Sequence, residues 1–137
     1  MQYKLINHTA DFGIHVFGKD EKQLFEHAAL AMFELIIESG SPGACRQRLV
    51  SVMGNDWPDL MVNWLRELLY FWSGKEMLVK GTEILNISEN ELRAKIRTDA
   101  YDPDRHTIKA EIKAVTYHQI QVSEGPAGWE AKIIFDV

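Results

Sequence analysis

Two stretches of the chain repeat their apolar positions at helical spacing. Phe25, Ala28, Ala29, Met32, Phe33 and Ile36 recur at steps of three and four, which gathers them on one helix face. Asp20 is the expected N-cap, with Gln23 three residues on at the capping-box spacing. Ser39-Gly40-Ser41-Pro42-Gly43 is the expected stop. The second helix is predicted to open at Asp56-Trp57-Pro58-Asp59, with Pro58 in the first turn, where a missing N–H costs nothing. Met61, Trp64, Leu65, Leu68 and Trp72 form its stripe. Leu60, Val62, Leu69 and Phe71 widen that stripe and predict the more buried helix of the two. Its aromatic residues read as core packing and not as a cofactor-binding face.

Elsewhere the period is two. Residues 3–6 and 12–17 read as short strands on either side of the polar connection Asn7-His8-Thr9-Ala10-Asp11. Residues 46–53 alternate and predict an edge strand. Beyond Gly74 all predicted elements are strands. Residues 78–88 and 91–99 are joined at Glu89-Asn90, and 108–117 places Ile108, Ala110, Ile112 and Ala114 inward. Residues 119–123 and 129–135 pair across the turn-rich run from Glu124 to Gly128. The order β-β-α-β-α followed by strands predicts a single α+β domain over 1–137, a largely antiparallel sheet with two helices packed on one face.

Composition narrows the class. A chain of 137 residues that is 46% hydrophobic and 26% charged has globular composition and can close one core. No apolar run approaches the ~20 residues of a membrane span. Met1-Gln2-Tyr3-Lys4-Leu5 does not read as a secretory signal, so a cytoplasmic location without membrane attachment is expected. The single cysteine, Cys45, excludes an internal disulfide and a Cys-based zinc site, and is expected to be a small buried filler. The net charge of -5 argues against a dedicated phosphate-backbone binder. Residues 20–39 carry a net -4 of it and are expected to form the solvated outer face of the first helix.

Four clusters could carry chemistry. His8-Thr9-Ala10-Asp11 lies in a loop, where Asp11 could equally serve local backbone hydrogen bonds. At the other end of the chain, Asp136 stands one residue from the α-carboxylate of Val137. Two carboxylates so close repel unless a cation or basic group neutralises them. If that strand ends near Asp11, three hard oxygen donors meet, a set that suits Ca²⁺ or Mg²⁺ and not zinc. Asp102-Pro103-Asp104-Arg105-His106, with Lys109 and Lys113, is either a basic spot for phosphate or an acidic partner, or a solvated corner with local ion pairs. Arg93, Lys95 and Arg97 share one strand face, and no aromatic interleaves with them. Gly-rich phosphate loops, a nucleophile elbow and a His-Glu-x-x-His helix are all missing, so the residues predict no catalytic centre.

Several segments resemble the archease family. They are residues 7–14 (Asn-His-Thr-Ala-Asp-Phe-Gly-Ile), 28–33 in the first helix and 60–70 in the second. Asp104-Arg105-His106, Lys113-Ala114-Val115-Thr116-Tyr117-His118 and the closing Ile134-Phe135-Asp136-Val137 continue the likeness in order along the chain. The resemblance implies a non-catalytic partner of the GTP-dependent RtcB-type ligase that joins tRNA exons and repairs RNA. Such a partner promotes guanylylation and multiple turnover of the ligase and broadens its nucleotide use, which associates it indirectly with RNA and GTP. The resemblance also implies a divalent cation, commonly Ca²⁺ with Mg²⁺ or Mn²⁺ as alternatives, on Asp11, Asp136 and Val137. Asn7, where the family often has Asp, and His8 would stand beside those ligands. Arg105, His106, Lys109 and Lys113 would face the partner or phosphate. The alternative is a general chaperone or adaptor for nucleic-acid-modifying enzymes with a structural metal. An independent metal-dependent phosphatase or nuclease lacks a recognisable nucleophile or base.

Overall fold

A computed structural model describes residues 2–7, 11–38 and 43–137, with backbone alone for Ile6, Asn7 and Asp11. In chain order the described elements are β1 (Tyr3–Asn7), β2 (Asp11–Gly18), α1 (Glu21–Ile36), β3 (Ile37–Glu38), β4 (Arg46–Met53) and α2 (Trp57–Lys75). They continue with β5 (Met77–Ile87), β6 (Glu91–Ala100), β7 (Thr107–Ile108), β8 (Ala114–Val115), β9 (Gln121–Gly125) and β10 (Gly128–Asp136).

Local signals set the helix starts. Asp20 accepts the Gln23 N–H at 2.8 Å, and Gln23 returns its side-chain oxygen to the Lys19 N–H at 2.7 Å. Asp56 accepts the Asp59 N–H at 2.9 Å ahead of a first turn that holds Pro58. The end of α2 is a left-handed residue, Glu76 at φ 53, whose N–H bonds Trp72 O. No described helix is long and apolar enough to cross a membrane.

The fold class is the expected α+β, with mostly antiparallel strands and two helices. The strands divide between two larger sheets. One has the order β1-β2-β10-β8, with β9 also on β10; the other is β4-β6-β5, which leaves β4 at an edge as predicted. Both helices touch both sheets. Their apolar faces meet Ile14, Val16, Ile133 and Phe135 from the first sheet and Leu78, Leu92, Ala94 and Ile96 from the second. Trp64, fully buried, ties the helices together by donating its indole N–H to Phe25 O at 2.9 Å. At Gly18 a Cβ would lie 2.7 Å from Leu24 Cα, so β2 meets α1 backbone against side-chain-free backbone.

Three expectations are corrected. Residues 108–117 do not form one strand, because the Lys109 and Ala110 N–H groups both turn to Ile36 O, at 2.7 and 3.4 Å, where α1 ends. Ile112 is buried there while Ala110 is exposed. The acidic face of α1 is not simply solvated: Glu26 accepts the Ile84 N–H at 2.9 Å, and Glu34 accepts the Tyr3 hydroxyl. Cys45 is exposed, not buried. The expected stop over residues 39–42 lies outside the described residues.

Candidate metal centre

Asp11 opens β2 and Asp136 closes β10, and the ladder makes them cross-strand partners. Directly opposed positions on antiparallel strands share a face, with Cβ atoms about 4.5–5.5 Å apart. Three further pairs pin this register: Phe12 with Phe135, Ile14 with Ile133, and Val16 with Ala131. Ile14, Val16, Ala131, Ile133 and Phe135 lie in the core, and a one-residue slip would turn them outward. Core packing thus sets the Asp11 backbone opposite that of Asp136.

Asp136 is exposed and Val137 is 46% exposed. Asn7, paired with Phe12, ends β1 at the same sheet end. On the far edge of β10, Ala114 pairs with Asp136, and the Lys113 N–H donates to Asp136 O at 2.8 Å. Lys113 itself is exposed. Like charges directly opposed across strands destabilise a sheet. Opposed Asp positions at a sheet end carry hard oxygen donors, the kind that Ca²⁺, Mg²⁺ or Mn²⁺ takes. Among the described residues, no three His, Cys, Asp or Glu side chains gather as a metal site. The Asp11 side chain and all of His8 lie outside the described residues.

Helix α2 is fastened to this edge by residues that sequence reasoning did not single out. Arg66 Nε donates to Val115 O at 3.0 Å, and its guanidinium lies 4.8 Å from the Tyr117 ring centre. Tyr117 donates its hydroxyl to Asp59 at 2.6 Å. That bond holds the Asp59 carboxyl below its ordinary range, assisted by the Asn55 N–H, and raises the Tyr117 phenol. The available signal was a lone arginine inside the apolar run of α2.

The predicted basic group does not assemble as one surface. Asp99, 3% exposed, accepts both guanidinium arms of Arg105 at 3.1 Å. His106, 4% exposed, accepts the Asp102 N–H on Nδ1 at 2.9 Å. The ring proton therefore sits on Nε2, which donates to Asp99 at 3.0 Å. Arg105 also reaches Asp102 at 3.3 Å. The guanidinium, opposed by burial and aided by His106, holds the Asp99 carboxyl below its usual range. Asp102 is lowered chiefly by the Asp104 N–H. A Cβ at Gly43 would come within 2.9 Å of Asp99 Oδ2, so Gly43 backbone lies against the ion pair. Arg105 and His106 thus hold their own loop together. Lys109 stands at the end of α1 and Lys113 beside Asp136.

A groove of about 360 Å³ between α1 and β5, lined by Leu30, Phe33 and Val79 among others, contains none of the candidate ligands.

Residues 3–137 match the model of the Archease protein family (MTH1598/TM1083). The protein archease of Methanosarcina acetivorans is 35% identical over 140 residues, covering 99% of this chain and 96% of that one. That of Pyrococcus furiosus is 33% identical over 141 residues, with 99% of each chain covered. Among solved structures, protein 1598 of Methanobacterium thermoautotrophicum superposes with a TM-score of 0.75 at 26% identity, over 99% of both chains. A Thermotoga maritima protein described as an archease and possible chaperone shares the fold, with a TM-score of 0.65 at 21% identity over 98% of this chain and 96% of that one.

Proposed function

Because the chain belongs to the archease family, we propose that it is a non-catalytic activator of a GTP-dependent RtcB-type RNA ligase in tRNA splicing and RNA repair. In this reading it works in the cytoplasm, promotes guanylylation and multiple turnover of the ligase, and broadens the nucleotide that the ligase accepts. The observation that supports it is the cross-strand pairing of Asp11 with Asp136.

Asp11, Asp136 and Val137 would hold a divalent cation, most naturally Ca²⁺. Ca²⁺ takes 6–8 oxygen ligands, so three from this chain leave room for oxygens of a partner or of a nucleotide. When bound there, the cation supplies charge neutralisation to phosphate oxygens during nucleotidyl transfer. The chain's own part is to keep the carboxylate positions opposed through core register and to keep Lys113 at the same edge by its bond to Asp136 O. Lys113 then offers a positive charge to phosphate or to an acidic group of the ligase.

The other reading is a general chaperone or adaptor with a structural metal, in line with the description of the Thermotoga protein. Stoichiometry separates them. Folded ligase is incubated with labelled GTP and with this protein at a tenth of its concentration or less. Activation predicts that most ligase molecules become guanylylated. A chaperone predicts no gain on folded ligase and a gain only when the protein is present during refolding.

A further inference from the structure

The three-stranded sheet β4-β6-β5 packs its inner face on the helices, and its outer face is open. Down the middle of that face run Arg93, Lys95 and Arg97, all exposed, on the central strand β6. Alternate residues of a strand stand about 6.7 Å apart, so the three charges form a straight row roughly 13 Å long. None of them takes part in a salt bridge among the described residues. Arg97 lies across Gly81, where a Cβ would come within 2.8 Å of its Cζ; the missing side chain makes a seat for the guanidinium. Two acids accompany the row: Glu83 opposite Lys95, and Glu91 at the far end.

We propose that this face binds a single-stranded segment of RNA through its phosphodiester backbone. The charges repeat along one line at a step close to that between successive phosphates of an extended strand. Neutral hydrogen-bonding side chains flank them, with Gln47 opposite Arg97, and Ser51 and Asn86 opposite Arg93. An acidic protein partner fits less well, because protein interfaces deplete charge at their centre and anchor on buried aromatic side chains. Here the centre is cationic and, among the described residues, no aromatic side chain stands on it; the exposed apolar residues, Leu49 and Met53, lie along the β4 edge. A chain of net charge -5 repels a polyanion elsewhere, which directs it to this face. Without aromatic stacking the binding is electrostatic, weak and indifferent to sequence. The choice of RNA over another polyanion rests on the proposed function; the site itself does not.

The test is fluorescence anisotropy of a labelled oligouridylate with the protein alone. Three neutralised phosphates predict a log–log salt slope of about -2, or roughly twentyfold weaker binding at about 200 mM than at 50 mM salt. Arg93→Gln/Lys95→Gln/Arg97→Gln, confirmed as folded by circular dichroism, should weaken binding at least about tenfold at the lower salt. Glu83→Gln should tighten it. In the proposed function the guanylylation step joins ligase and GTP alone, so the triple variant should stimulate that step as wild type does. No binding by wild type at low salt, or equal binding by the triple variant, overturns the proposal. So does a triple variant that keeps RNA binding and loses ligase stimulation, which would make the face a protein dock. If RNA binding follows the row while wild type fails to stimulate the ligase, the proposed function fails and this site stands.

Discussion

Replacing Asp99 with Asn changes almost no volume and removes one buried charge, so its effect reads the electrostatics of the 99–106 cluster alone. In the wild type the two Asp99 oxygens accept three donors, two from Arg105 and one from His106. An amide has a single accepting oxygen and turns its NH₂ toward donors. With that oxygen at the Oδ2 position His106 keeps its acceptor and the NH₂ faces Arg105 Nη2; with it at Oδ1 the His106 Nε2–H, in a ring that is 4% exposed, has none. Removing one partner of a buried pair costs about 3–5 kcal/mol. The Arg105 side chain is 29% exposed and water can reach it, so the cost falls below that range, to about 1–3 kcal/mol. With unfolding entropy near 2.1 cal/mol/K per residue, a chain of this length loses roughly 3–10 °C in Tm. The assay is thermal and urea unfolding at neutral pH, repeated in acid. Asp99 titrates below its ordinary value when folded. Its stabilisation is therefore complete above the unfolded value near ~3.9 and fades as pH falls through the lower folded value. The gap between wild type and variant should close only in strong acid. A loss below about 0.5 kcal/mol at neutral pH, or a gap that closes near pH 6, would refute this account of the cluster.

Two other substitutions probe the frame that carries the sheet end. Trp64→Phe removes the bond to Phe25 O and leaves part of the helix–helix contact unfilled; about 2 kcal/mol should be lost in urea unfolding. Gly18→Ala drives a methyl against the Leu24 backbone, which cannot swing aside, and should cost about 1–3 kcal/mol in the same measurement. A neutral result there would mean that β2 and α1 are not in the close contact described.

What could be read from the sequence was local. Asp20, Asp56 and Pro58 announced both helix starts, because capping and the fixed φ of proline act within one turn. The apolar stripes of α1 and α2 were equally plain, since burial of one face imposes its own period. Pairing was less accessible. The carboxylates near the two ends of the chain were visible, yet only the long-range register of β2 with β10 makes Asp11 and Asp136 partners. Alternation misled at residues 108–117, where Ile108 to Ala114 imitates a strand although the backbone caps α1 instead. Asp99 carried no signal of its own. Strand parity places that residue with exposed Arg97, but β6 breaks step at its end, where Thr98 and Asp99 are both buried. No single-residue signal marks such a break; it arises because Arg105 and His106 fold back from the following loop. The likeness to archeases did not separate Arg105 and His106 from Lys113.

The most direct test of the sheet-end account is guanylylation of the purified ligase, measured by label transfer from GTP. It compares wild type with Asp11→Ala and Asp136→Ala, each first shown to be folded and titrated calorimetrically with Ca²⁺, Mg²⁺ and Mn²⁺. The account predicts that both variants lose cation binding and, with it, most of their stimulation of the ligase. Undiminished stimulation by both variants would contradict it.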